Sequence, residues 1–180
     1  MSTFQFKDKQ GNALMISVNI EDFVYDAVTA TAQPEGFNVL PRIVRDEVPP
    51  NVLREFCNKV ERTQEIGILP KLKSGLWVLG SPQIRVIGTE GITRAKATIV
   101  DFLKGFEDIN RQFPPGPSKL LFTQFTLVAN HFPEDHVKGI LNALGEQEDF
   151  GKLKFINFAF DSRHAGRFIE MVKKASECNT

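Results

Sequence analysis

Residues 119–172 read KLLFTQFTLVANHFPEDHVKGILNALGEQEDFGKLKFINFAFDSRHAGRFIEMV. Lys119 to Val128 and Leu153 to Phe160 are apolar on both faces of an extended chain, which is the pattern of strands covered from two sides. Between them Val137, Ile140, Leu141 and Leu144 recur at helical spacing, and Ala165, Phe168, Ile169 and Val172 do so afterwards. The order is therefore strand, helix, strand, helix. With a right-handed crossover, that order predicts a parallel pair of strands flanked by helices.

Working outward, Pro114-Pro115-Gly116-Pro117 interrupts the pattern and is the candidate boundary between subdomains. Upstream of it, Ala95, Ile99, Phe102, Leu103 and Phe106 share one face of a helix expected from about Glu90. Leu76 to Leu79 and Gln83 to Ile87 are short extended runs around Gly80-Ser81-Pro82, and they suggest a hairpin. Pro49-Pro50 introduces a helix whose Val52, Leu53, Phe56, Cys57 and Val60 fall on one side. Phe37 to Arg45 reads as extended, but Pro41 confines it to an edge or irregular segment. Asn19 is expected to cap a helix with an apolar stripe of Ile20, Phe23, Val24, Ala27 and Val28. At the start, Phe4 and Phe6, then Leu14, Ile16 and Val18, alternate with polar neighbours across the turn Lys9-Gln10-Gly11-Asn12, as in a β-hairpin. The expected fold class is α+β (or α/β): one domain over residues 1–180, with a mixed β-sheet, an N-terminal hairpin, a C-terminal β-α-β-α unit and helices packed on the sheet, in three layers or an α+β arrangement.

Composition narrows the function. The apolar share of 42% and the charged share of 24% are those of a folded globular chain. Sixteen Phe stand against one Tyr and one Trp, so aromatic bulk fills a core more than it supplies polar handles. Trp77 sits in an apolar run and is read as core. Lys plus Arg and Asp plus Glu are both 22. Nucleic acid is accordingly not expected as a partner, because the positive field that binds phosphate backbones is missing. Cys57 lies on a helical apolar face and Cys178 in a polar C-terminal stretch, so no disulfide is expected. Met1 to Lys7 lacks a basic flank followed by an apolar run. No stretch approaches the roughly 20 apolar residues that cross a bilayer, so no membrane association and a cytoplasmic setting are expected.

Three groups of residues could carry chemistry. His131-Phe132-Pro133-Glu134-Asp135-His136 gathers two imidazoles and two carboxylates at a strand-to-helix junction, where His131 and His136 could ligate a metal such as zinc. Their spacing departs from the one-turn spacing of helical zinc motifs, and the acids suit the positive start of a helix without any ion. Asp161-Ser162-Arg163-His164, with Arg167 one turn on, follows the last strand. Ligands of open parallel sheets sit beyond the carboxyl ends of strands, so Asp161, Ser162, Arg163, His164 and Arg167 form a candidate anion site. Its plainer account is a helix cap with a solvated basic face. Gly88-Thr89-Glu90-Gly91 could cradle phosphate or clamp RNA, but the phosphate-loop signature is absent and Glu90 opposes an anion. A tight turn with Thr89 as cap explains its glycines.

Nothing here forms a nucleophile elbow or an activated thiol. Catalysis is left undecided, leaning towards none, and no cofactor is expected. The leading expectation is a non-enzymatic module of the inhibitor, immunity or adaptor type that binds another protein by surface complementarity. The alternative is a small-molecule or anion-ligand enzyme or binder using the junctions at 131–136 and 161–167.

Overall fold

Alternation of Phe4 and Phe6, and of Leu14 and Ile16, produces strands β1 (Thr3–Lys7) and β2 (Ala13–Val18), paired antiparallel with Phe6 opposite Leu14. The computed structural model describes residues 3–32, 46–69, 71–123, 134–160 and 162–179. Along the chain follow β3 (Ala27–Thr31), helix α1 (Pro50–Thr63), β4 (Gly67–Leu69), β5 (Trp77–Ser81), α2 (Gly88–Gln112), β6 (Lys119–Phe122), α3 (Glu134–Gly145), β7 (Phe155–Phe158) and α4 (Ala165–Cys178). The seven strands form one mixed sheet in the order β1-β2-β7-β6-β3-β5-β4. β2, β7, β6, β3 and β5 run parallel, and the two edge strands run against them.

The C-terminal order of strand, helix, strand and helix is as expected, with Leu120 opposite Ile156 and Phe122 opposite Phe158 in the parallel β6–β7 pair; of the strand expected over Lys119 to Val128, residues 124–128 lie outside the described residues. Successive strand residues point to opposite faces, and each face has its own core. On one side Ile16, Ala27, Leu79, Phe122 and Phe158 pack with residues of α2, α3 and α4. On the other Val28, Ala30 and Val78 pack with Phe56, Cys57 and Val60 of α1. This is a three-layer single domain. The surplus of Phe is spent in the larger core, where rings of Phe102, Phe122, Phe158 and Phe168 follow one another at centroid distances of 5.9, 5.2 and 5.2 Å. The chain of rings ties α2, β6, β7 and α4 together.

Three local expectations are corrected. Ala27 and Val28 belong to β3, not to a helix begun at Asn19, and Val24 of the supposed apolar stripe is 70% exposed. The stripe fits helical spacing, but the β-branched run Val28-Thr29 gains more as a central strand between β5 and β6 than a short helix would return. Residues 19–26 instead cross over the α1 face of the sheet, where Tyr25 packs against the smaller core. Gln83 to Ile87 forms no strand. The antiparallel partner of β5 is β4, three residues too short to show any period, placed where a Cβ on Gly67 would meet Phe56 at 2.6 Å. Thr89 lies inside α2 and does not cap it. The expectation of an extended Phe37–Arg45 falls outside the described residues.

Two side chains finish the frame. Asp26, at the entry to β3, accepts the backbone N–H groups of Ser118 (3.0 Å) and Lys119 (3.1 Å), which fixes the start of β6 beside it. Asn179, just past α4, accepts from the backbone N–H of Lys7 at 2.6 Å and donates to its carbonyl at 3.1 Å. That amide occupies the outer edge of β1.

Candidate functional site

Five parallel strands end at one edge of the sheet, at Val18, Phe158, Phe122, Thr31 and Ser81. From β3 the chain moves outward to β5, then returns past β3 to β6 and on to β7. The direction of winding therefore reverses between β3 and β6. Connections that leave two neighbouring strands in opposite directions open a crevice between them, which is where ligands of open α/β sheets bind. Thr123 Oγ1 donates to the carbonyl of Thr29 across this gap, joining the two strands at its floor. The side chain of Thr29 is fully buried, and among the described residues its Oγ1 has no hydrogen-bond partner.

The wall on the β5 side is residues 82–87, and it is held by the start of α3. Ring nitrogen Nε2 of His136 donates to the carbonyl of Val86 at 2.9 Å, and Asp135 Oδ2 accepts the N–H of Gly88 at 2.7 Å. Asp135 thus supplies the cap that α2 lacks locally, since neither Ile87 nor Thr89 provides one. Gly91 allows this approach: a Cβ there would stand 2.6 Å from the Val86 carbonyl oxygen. His136 is buried, and its ring borders a small cavity shared with Ile84, Thr98, Phe122 and Ile140. A groove of about 220 Å³ lies further out on the same side, between Gln64, Pro82, Ile84 and the α2 residues Arg94, Thr98 and Asp101. Removing the α2 cap with Asp135→Ala is expected to cost about 1 kcal/mol of stability, read as a lower urea midpoint at unchanged slope.

On the β7 side, Ser162 and Arg163 are exposed, His164 is half-buried at the N-cap of α4, and Arg167 is exposed. Arg167 Nη2 donates to Glu134 Oε1 at 2.9 Å, and its Nη1 lies 3.5 Å from Glu170. The starts of α3 and α4, whose proximity a parallel pair of strands would imply, are in contact through Arg167 and Glu134. Asp161 and His131 fall outside the described residues. Among the described residues no group of three or more His, Cys, Asp or Glu is arranged to hold a metal ion. Also among them, no helix is long and apolar enough to cross a membrane.

The sequence reading missed the residues that shape this edge. Asn19 has a left-handed backbone (φ 52°) and pairs with the main chain of Phe160. Asn157, buried in β7, binds both the N–H and the carbonyl of Ile20. Asn before an apolar stripe looks like a helix cap, and an Asn inside a strand has no local pattern, so neither role is written in short-range spacing.

No family model and no curated protein sequence matches this chain. Solved structures do, among them macrodomains of Oceanobacillus iheyensis. The form with MES bound has a TM-score of 0.64 at 13% identity, covering 98% of this chain and 98% of that one. The form with ADP gives 0.63 at 12%, again with 98% of each chain covered. A point mutant with ADPR gives 0.62 at 12%, covering 98% of this chain and 100% of that one. At such identity the likeness establishes the fold, which is that of a macrodomain, and fold does not fix function. These neighbours nevertheless overturn the leading expectation of a protein-binding module with another protein as its partner. Those neighbours hold ADPR, MES or ADP, each a small molecule and not a protein partner.

Proposed function

We propose that the chain binds a small anionic ligand of the adenosine-diphosphate class, with ADP-ribose as the first candidate, in the crevice between the carboxyl ends of β3 and β6. The observation that carries this reading is the reversal of winding between those strands, the position at which ligands of open α/β sheets bind. The ligands of the structural neighbours support it: ADP and ADPR carry a diphosphate and MES a sulfonate, so all three present an acidic oxyanion. Ser162 and Arg163, exposed at the start of α4 one strand from the crevice, are the side chains we assign to that oxyanion, with Asp161 and His164 beside them. Arg167, engaged with Glu134 and Glu170, holds the two junctions together in this reading. A cytoplasmic setting belongs to the same proposal, in keeping with two cysteines, one buried on α1 and one exposed at the end of α4, that are not joined.

Titration calorimetry and thermal melting with ADP-ribose, ADP and adenosine test it. Ligand at about 100 times its dissociation constant stabilises a folded protein by about 2.7 kcal/mol. For a domain of this size that raises the melting temperature by roughly 5–10 °C. Adenosine, which has no oxyanion, should give little. Arg163→Ala should weaken ADP-ribose about tenfold or more, the usual loss for a hydrogen bond to a charged group. Absence of heat and of any melting shift with ADP-ribose and ADP at millimolar concentration would remove the reading.

A further inference from the structure

The parallel pairing of β2 with β7 ends at Val18 opposite Phe158, yet the two chains stay joined for two residues more. The backbone N–H of Asn19 donates to the Phe158 carbonyl at 2.9 Å. Its side chain then copies a strand neighbour: Oδ1 accepts the N–H of Phe160 at 2.7 Å and Nδ2 donates to the Phe160 carbonyl at 3.0 Å. Asn157 returns the arrangement from the other chain, accepting from Ile20 N–H at 3.2 Å and from Ser17 Oγ at 2.9 Å, and donating to the Ile20 carbonyl at 3.4 Å. To reach Phe160, Asn19 takes the left-handed conformation that asparagine tolerates better than most residues. The ring of Phe160 is held separately, stacked on Phe168 at 4.7 Å and 14°. Side chain and main chain of this one residue are thus fixed from two directions.

Phe160 immediately precedes Asp161, Ser162 and Arg163. Sheet pairing alone does not require its main chain to be held, because the last paired residue is Phe158. We infer that Asn19 is a positioning residue for the ligand site: it anchors the main chain at Phe160 so that the segment entering α4 is set before the ligand arrives. This rests on the ligand reading above. A loop fixed in its bound form does not have to be ordered on binding, so the anchor appears in affinity.

The test is Asn19→Gly, which suits the left-handed backbone and removes only the amide. ADP-ribose is the probe, measured by calorimetry alongside the melting temperature and the exchange of the Phe160 amide proton. The expected result is about tenfold weaker binding, the equivalent of one residue's backbone left to be ordered. Faster exchange at Phe160 should accompany it, with melting lowered by only a few degrees. Asn19→Asp keeps the acceptor for the Phe160 N–H and the tolerance for that backbone, so its affinity should fall between the two. It also serves if the glycine variant fails to fold. Unchanged affinity in Asn19→Gly, or Asn19→Asp binding no better than Asn19→Gly, overturns the inference. A wild-type chain that binds no ADP-ribose overturns the ligand reading itself, and this inference with it.

Discussion

Phe158→Ala is expected to lower the free energy of unfolding by about 3–5 kcal/mol, the range for removing a buried aromatic ring. Phe158 is fully buried in β7, and its ring meets Phe122 and Phe168, each at 5.2 Å. Removing it leaves a void between a central strand and the helical layer, where backbone pairing on both sides of β7 keeps the sheet from collapsing inward. A domain is stable by only about 5–15 kcal/mol in total, so the loss is a large share. Phe155, three residues earlier in the same strand, is 40% exposed and lies under the ammonium of Lys119. Its replacement by alanine should cost no more than about 1 kcal/mol. Urea unfolding of both variants decides the matter: similar losses would mean that the larger core is not centred on this chain of rings.

Asp8→Ala should cost about 3 kcal/mol, because it strands several donors at once. The carboxylate is buried in the turn between β1 and β2. It accepts N–H groups from Gln10 (2.9 Å), Asn12 (2.8 Å) and Phe150 (2.9 Å), and the side-chain amide of Asn12 at 3.0 Å. Burial pushes its pKa up, but the Phe150 N–H, the Asn12 side chain and the N–H groups of Asn12 and Gln10 together hold it below the ordinary value of 3.8. A carboxylate whose folded pKa is depressed contributes stability above its unfolded pKa, and that contribution disappears as pH falls through the folded value. The gap in stability between wild type and Asp8→Asn should therefore be constant at neutral pH and close at pH values below 3.8. A gap that stays constant into that acid range would rule out the carboxylate as its source.

The architecture was legible where apolar runs were long. The stretch from Lys119 to Val172 carries two strands and two helices whose periods differ, and the parallel pairing of β6 with β7 follows from their order. The hairpin β1–β2 and the helices at 50–63 and 88–112 were equally readable, since each has a stripe or alternation of its own. Short elements were not. β3 is five residues whose spacing suits a helix as well as a strand, and only its neighbours β5 and β6 decide between them. β4 has three residues and shows nothing without β5.

The sequence offers the candidate site as a set of junctions and says less of its chemistry. The described parts of the two junctions, Glu134 to His136 and Ser162 to Arg167, begin α3 and α4 and follow the parallel strands β6 and β7 in sequence. The contacts that shape them join residues far apart: Asp135 with Gly88, His136 with Val86, Asn19 with Phe160. No local pattern encodes such pairings. Function was misjudged for a related reason. A scarcity of signature side chains points equally to a protein partner and to a small-molecule binder, and only the small molecules held by the structural neighbours weigh against the first.

The amide of Asn179 bound to Lys7 has a consequence for how molecules of this protein behave towards one another. A sheet with a bare outer strand invites a strand from a neighbouring molecule to add to it, which is how ordered aggregates begin. Here the last residue of β1, Lys7, is already paired on its outer side by a side chain, and the opposite margin, β4, offers only three residues. Strand-by-strand growth at high concentration thereby meets a shortened template at each margin.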